Sequence, residues 1–420
     1  MKILYFIGAY GRQYDANEIH YELGREFARA GHTMVVFAPT TFKELRGRPA
    51  AWQDGEVAVE HVVVDDTPLR RLLVRLSARL FHYPHFLPAL YSFRQFLRRH
   101  ADAAVLHADA VYPMGAIAAL TGTPIPTVVS VHGGDVIGRP DYGYGRFRTA
   151  RALTRLAFRH ARLARINSPL MAELAQRRDC PADKVRLLLV NIGDRFFAPG
   201  RGDLDAFRRQ AQAQVLREHN LPDDTLLLLS LGRLIPLKGT EEVVRAAALL
   251  RESAPRAHTL IAGPSRNVPG YGDYGAYLKR LVEELGAAGR VSLVGALDYA
   301  EAVPRYLAAA DLFLSPSHIE GLNRVVAEAG ALGTPSVVSE GTGVAPLVRE
   351  TGAGIVVPVQ DAASLAEAVT GLAQDAGARA AAAQRAQALA ERFTARAVAE
   401  GLLKLYEEAG ADQLDLLHPF

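Results

Sequence analysis

Two pairs of charged side chains stand out by type and spacing. In IEGLNRVVAEAG, residues 319–330, Glu320 and Glu328 are eight positions apart and the first precedes a glycine. In LGRLIPLKG, residues 231–239, Arg233 and Lys238 follow an apolar run, with Gly232 and Gly239 giving the backbone freedom to turn. Two cations at a strand-to-helix junction suit a diphosphate, which needs charge neutralisation beside backbone N–H groups. The plainer alternative is a solvated loop with two surface cations. In the first stretch, Ser315, Pro316, Ser317 and His318 read as the turn after a strand, with a helix beginning near Gly321. The N–H groups of Gly321, Leu322 and Asn323 would then lack intrahelical partners and face a ligand oxygen at the positive end of the helix dipole. Glu320 is expected just outside the helix and Glu328 about two turns inside, on the order of 10 Å away along the axis. That separation is too large for an acid–base pair working on one bond. It suits two acceptors that grip different hydroxyls of an extended ligand. The alternative is a dipole-favoured glutamate and an unrelated surface one.

Apolar runs alternate with helical stretches from end to end, the order of a doubly wound parallel α/β architecture. The first series reads KILYFIG, TMVVFAP, VAVEHVVV, AAVLHAD, TVVSVHG, LARINS and KVRLLLV, with a helix near Asn17 to Arg29 that Gly31 ends. A second series reads TLLLLSLGR, HTLIAGP, RVSLVG, LFLSPS, TPSVVS and AGIVVP. The spacing predicts an N-terminal domain over 1–200, a polar linker over 201–222 and a second domain over 223–395, and the helix over 396–420 is expected to pack back on the N-terminal domain. Two such domains create a cleft at the carboxyl ends of their strands, where α/β proteins bind ligands. Both charged motifs stand just after strands.

At 420 residues the chain exceeds one ordinary core, and 49% hydrophobic with 22% charged residues describes a globular protein. No apolar run approaches the ~18 residues of a membrane helix. The opening MKILYFIGAYG reads as a first strand rather than a signal peptide. Cys180 is the only cysteine, which excludes an internal disulfide and a cysteine-rich metal site, and cytoplasm is the expected compartment. The net charge of +3 is unevenly spread. Residues 67–100 hold seven arginines and no acid, and residues 146–165 hold seven more, again with no acid. A helix there would align Arg148, Arg151, Arg155, Arg159 and Arg162 on a stripe about 80° wide. Such segments suit peripheral contact with an anionic membrane or an acidic acceptor. With 42 arginines against six lysines, arginine as the ordinary surface cation is the competing explanation.

The ordered set GRLIPLKG, SPSHIEGLNRVVAEAGALGTPSVVS and APLVRETGAGIVVPVQDAASLAEAV resembles the C-terminal domain of the family 4 retaining nucleotide-sugar glycosyltransferases, which have the GT-B fold. ARAGHTMVVFAP, VLHADAVYPMGAIAAL, VVSVHGGDV and the segment from INSPLMAEL to LLLVNIGDRFFAPG follow the family's order in the N-terminal half. The resemblance implies two Rossmann-like domains facing across a cleft. It also implies hexosyl transfer from a nucleoside diphosphate sugar to a hydroxyl acceptor, with retention and without a metal or other cofactor. UDP-sugars are favoured over GDP-mannose, and no nucleic-acid partner is expected. By the same resemblance Arg233 and Lys238 hold the diphosphate, beside Gly232. Glu328 accepts from the ribose, Glu320 from the sugar, and Gly321, Leu322 and Asn323 offer backbone N–H groups. His132, in SVHGGD, is implied to reach the donor sugar, with Gly133 and Gly134 letting its loop approach.

Gly11, Asp15, Asn17 and Asp135 fall on the acceptor side. The chain departs from the family at GAYGRQYDANEIH, where Tyr14 and Asp15 replace a Gly-Gly pair, and at Asn323, where glycine is usual. The Tyr- and Gly-rich segment 267–277 reads as a mobile loop near the nucleotide. A dinucleotide oxidoreductase would show G-x-G-x-x-G after its first strand, which FIGAYGRQYD does not match. The remaining alternatives are a sugar-nucleotide epimerase of the same fold and a non-catalytic nucleotide-sugar-binding partner.

Overall fold

The computed structural model describes residues 1–10, 18–45, 49–139 and 142–416, with only the backbone given for 411–416. Gly11, Asp15 and Asn17 lie outside the described residues. The chain forms two compact units, one made of residues 1–190 with 395–420 and the other of 191–394.

The first unit is built on a sheet of β1 (Lys2–Phe6), β2 (Thr33–Thr40), β3 (Ala51–Asp54), β4 (Val57–Val63), β5 (Val105–Ala108), β6 (Thr127–Val131), β7 (Leu163–Ile166) and β8 (Val185–Leu187). Their order is β3-β4-β2-β1-β5-β6-β7-β8, parallel throughout except for the antiparallel edge pair β3/β4. β1 lies between β2 and β5, so the winding reverses there. The central strands are buried along nearly their whole length, which is why they read as unbroken apolar runs rather than alternating ones. The edge strand β3, AWQD, carries no such run and is not legible in the sequence.

The second unit holds β9 (Leu226–Leu231), β10 (Ala257–Ala262), β13 (Val291–Gly295), β14 (Leu312–Ser315), β15 (Ser336–Ser339) and β16 (Gly354–Val357), all parallel, in the order β13-β10-β9-β14-β15-β16. Here the winding reverses between β9 and β14. Residues 267–277 are not simply a loop. They form a two-stranded antiparallel ribbon, β11 (Asn267–Val268) and β12 (Gly272–Asp273), and then enter the helix Tyr274–Glu284. The tyrosine-rich composition serves packing: Tyr274 and Tyr277 both donate to the Glu241 carboxylate, at 3.0 Å each, and Tyr271 packs edge-on to both.

Residues 201–222, expected as a linker, carry the helix Leu204–Glu218. Asp203 caps it by accepting from the Ala206 N–H, and Arg208 ties it to the second unit through the Leu332 carbonyl (2.6 Å) and the Thr334 hydroxyl (2.7 Å). Its Arg- and Gln-rich face hid that helix, because only Ala211, Val215 and Leu216 are buried. The helix Ala395–Leu416 belongs to the first unit, where Val398, Leu402, Leu405 and Tyr406 share one core cluster with Ile3, Phe27 and Val36.

Candidate functional site

In a doubly wound sheet the helices on either side of the reversal leave a crevice at the carboxyl ends of the two central strands. In the second unit those ends are Leu231 and Ser315, and the two charged motifs begin directly after them. Gly232 leaves β9 with its N–H on the Ala262 carbonyl (3.0 Å), and a Cβ on Gly263 would meet the Gly232 carbonyl at 1.7 Å. That glycine lets the loops after β9 and β10 lie against each other. Gly239 closes the 231–239 loop at φ +68 and starts the helix Thr240–Ser253. A Cβ there would lie 2.0 Å from the Pro316 carbonyl oxygen, so the two motif loops touch backbone to backbone. The His318 N–H donates to the Leu237 carbonyl (2.8 Å), and the His318 ring bonds the Glu242 carboxylate (3.0 Å).

This contact brings the Lys238 ammonium into an ion pair with the Glu320 carboxylate, both largely shielded from solvent. Arg233 stands at the same loop with its side chain exposed. The backbone of Glu320 is fixed on both sides, its N–H donating to the Gly341 carbonyl (2.9 Å) and its carbonyl accepting from the Gly343 N–H (3.1 Å). The Ser339 hydroxyl holds the Ser317 carbonyl. The turn after β15, SEGTGV, is therefore part of the site, and it was missed although it obeys the same strand-end rule.

The helix that follows begins later than its sequence suggests. It spans Arg324–Ala331, so Gly321, Leu322 and Asn323 form the loop before it rather than its first turn. Asn323 explains the delay. It sits in the left-handed region at φ 68, ψ 73, buried, with its side-chain amide donating to the Ser315 hydroxyl (2.5 Å). Asparagine and glycine are the residues that tolerate this conformation, which accounts for the substitution of one for the other. Glu328 is the fifth residue of the helix, about 6 Å of rise from its start rather than two turns in. It is buried and accepts a hydrogen bond from the Tyr299 hydroxyl (2.9 Å), itself beneath the Arg195 guanidinium.

In the first unit His132 follows β6 directly, and Asp109 follows β5. The Asp109 carboxylate accepts from Tyr5 (3.1 Å) and bonds His20 (3.2 Å) and His132 (3.3 Å). Burial opposes charge on Asp109 and His132, yet the two neighbouring histidines, His132 and His20, hold Asp109 well below the usual carboxylate range. Asp109 in turn lifts His132 above an ordinary histidine against its own desolvation. Asp135 is buried and shapes the loop itself, taking the N–H groups of Gly133 (2.9 Å), His132 (3.3 Å) and Val111 (3.3 Å). Its desolvation pushes the carboxyl upward, against the pull of those donors and of His132. Asp135 is thus a loop-holding residue in this unit. Asp109, His20 and Tyr5 were not singled out in the sequence. Asp109 alone had a signal, its place at the end of AAVLHAD.

The structure thus assembles Gly232, Lys238, Glu320, Asn323 and Glu328 around one strand reversal, and His132 with Asp135 at the strand ends of the other unit. Among the described residues no group of three or more His, Cys, Asp or Glu side chains is placed to hold a metal ion.

Sequence and structure comparisons fit this geometry. The profile of "Glycosyl transferases group 1" matches residues 212–389, and that of "Glycosyl transferase 4-like domain" matches residues 17–190. A D-inositol 3-phosphate glycosyltransferase from Salinispora arenicola is 32% identical over 245 residues, covering 57% of this chain and 53% of that protein. The chain spans about half the length of the curated relatives it matches. The sucrose-phosphate synthase of Thermosynechococcus elongatus superposes over 98% of this chain and 99% of its own, with a TM-score of 0.74 at 22% identity. Anabaena HepE, solved in complex with UDP, covers 96% of this chain and 99% of its own, with a TM-score of 0.71 at 20% identity. With the two profiles spanning both units and the GT-B fold common to the solved neighbours, the chain belongs to the family 4 glycosyltransferases.

Proposed function

We propose that this protein transfers a hexosyl group from a nucleoside diphosphate sugar, a UDP-sugar in the first instance, to a hydroxyl acceptor, with retention and without a divalent metal. The observation that carries the reading is the Lys238–Glu320 ion pair, set at the strand reversal of a family 4 chain. An incoming diphosphate would take over the Lys238 ammonium, with Arg233 beside it, and so release Glu320 to accept from sugar hydroxyls. Glu328, already hydrogen-bonded by Tyr299, is the acceptor for the ribose. Two cations, Lys238 and Arg233, would supply the charge that a metal would otherwise bring to the leaving nucleoside diphosphate. Same-face attack, with the departing phosphate taking the acceptor proton, then needs no protein nucleophile, and catalysis rests on positioning and electrostatic stabilisation. The solution of HepE with UDP supports the choice of base.

Product screening with UDP-, GDP- and ADP-hexoses, with and without EDTA, tests the proposal, the anomeric configuration being read by NMR. Turnover of a UDP-sugar with retained configuration and full activity in EDTA is expected. Lys238→Ala and Glu320→Ala are each expected to reduce turnover at least ~10²-fold. No turnover with any nucleotide sugar would sink the proposal, and rates near wild type would remove those two residues from the site.

A further inference from the structure

Of the two arginine-rich segments, the structure separates one from the other. In the helix Arg148–His160 the stripe stays largely exposed, but it is partly engaged by the protein itself and borders only one large exposed apolar side chain, Leu156. Arg155 pairs with Asp179, Arg151 reaches the Gly145 carbonyl (3.4 Å), and Arg162 lies beyond the helix end. The helix Pro68–Phe81 behaves differently. Thr67 caps it, and Ser77 turns inward to donate to the Leu73 carbonyl (2.6 Å) and accept from the Leu87 N–H (3.1 Å). With that face buried, Leu69, Leu72, Leu76 and Leu80 are turned to solvent, at 65%, 59%, 41% and 44% exposure. Their spacing of three, four and four places them on one stripe about 80° wide and roughly 16 Å long. The other large apolar side chains exposed among the described residues are dispersed over separate elements. A single exposed leucine needs no explanation, but a continuous ridge of four does. Arg71, Arg75 and Arg79 are also exposed and run as a second stripe beside it. No acidic residue occurs from Thr67 to His100.

We propose that the helix Pro68–Phe81 is an interfacial helix that seats the protein on an anionic bilayer, its leucine ridge sunk among the acyl chains and Arg71, Arg75 and Arg79 at the headgroup phosphates. Charge selects this occupant. An apolar face bordered by cations is the composition that lies in the plane of an anionic membrane surface. A second copy of the chain fits poorly, because a two-fold pairing through this ridge would bring like arginine rows together with no acid from the segment between them. The inference is independent of the donor chemistry and concerns where the enzyme meets its acceptor.

The test is flotation of the full chain with vesicles of phosphatidylcholine alone and of phosphatidylcholine with phosphatidylglycerol. The wild type is expected to float with the anionic vesicles only, and less at high salt. Leu72→Ser/Leu76→Ser and Arg71→Glu/Arg75→Glu are each expected to lower that partition at least ~10-fold. Melting temperature and transfer to a soluble acceptor should stay unchanged in both. Leu72→Trp gives a readout that needs no loss of binding, a blue shift of the new indole's emission on adding anionic vesicles. Absence of wild-type flotation, flotation of either double variant at the wild-type level, or an unshifted indole overturns the proposal. So does a dimer in solution that Leu72→Ser/Leu76→Ser converts to monomer, which would assign the ridge to a second copy.

Discussion

At Asp109 and His132 one carboxylate sets the state of an imidazole. His132 is raised by Asp109, so the ion pair's contribution is fully present below the ordinary histidine value, ~6.5, and fades as pH rises through the elevated one. Asp109 is held low, so its contribution is present above the ordinary carboxylate range and is lost in acid, as pH falls through the depressed value. Asp109→Asn keeps the shape and removes the charge. Histidine NMR titration of that variant should show the His132 pKa dropping below its wild-type position, toward the lowered values that burial alone dictates. An unchanged His132 titration would show that Asp109 is not its electrostatic partner. The stability gap between wild type and variant should narrow on the alkaline side, measured by urea unfolding across that range. None of this was readable from AAVLHAD and SVHGG, since the strand ends that bring Asp109 and His132 together are 23 residues apart in the chain.

At the scale of elements, legibility followed burial. The strands fully enclosed by helices appeared in the sequence as apolar runs, and the motifs at their carboxyl ends were found by position. What the sequence did not disclose was set by long-range contact. The start of Arg324–Ala331 is delayed because Asn323 is held by Ser315, eight residues back on β14, and the loop before it is fixed by the turn after β15. The most informative element test is the crossing of the two motif loops. Gly239→Ala adds a methyl where the Pro316 carbonyl already sits, at a positive φ, and is expected to destabilise the second unit by about 2 kcal/mol while moving Lys238. Gly371→Ala, inside the helix Ala362–Gln374 with open space around its Cβ, should stabilise by about 0.5–1 kcal/mol. Denaturant unfolding of the two variants should therefore shift in opposite directions, and a neutral Gly239→Ala would mean that the loops do not touch as described.

For the whole molecule, the decisive arrangement is that the first unit is completed by a helix from beyond the second. Tyr406, buried, donates or accepts at His107 Nδ1 (2.5 Å), and the other His107 nitrogen meets Ser130 (2.7 Å), while burial drives the His107 pKa down to about 3. A Cβ at Gly401 would collide with Leu188, so the helix Ala395–Leu416 also lies tight against the end of the residue 1–190 segment. A chain ended at Thr394 should lose amide-exchange protection in β1 and β2 while β9 and β10 stay protected. Equal protection in both units would refute the dependence.

The same arrangement has a consequence for biosynthesis. When residue 190 has been made, the cleft that Val398, Leu402 and Tyr406 will fill is still open, and it stays so while about 200 further residues are added. At ordinary elongation rates that interval is on the order of 10–40 s. During it the nascent first unit presents an unfilled apolar furrow, and a chaperone that shelters this furrow on the ribosome should raise the yield of the whole protein more than that of the second unit made alone.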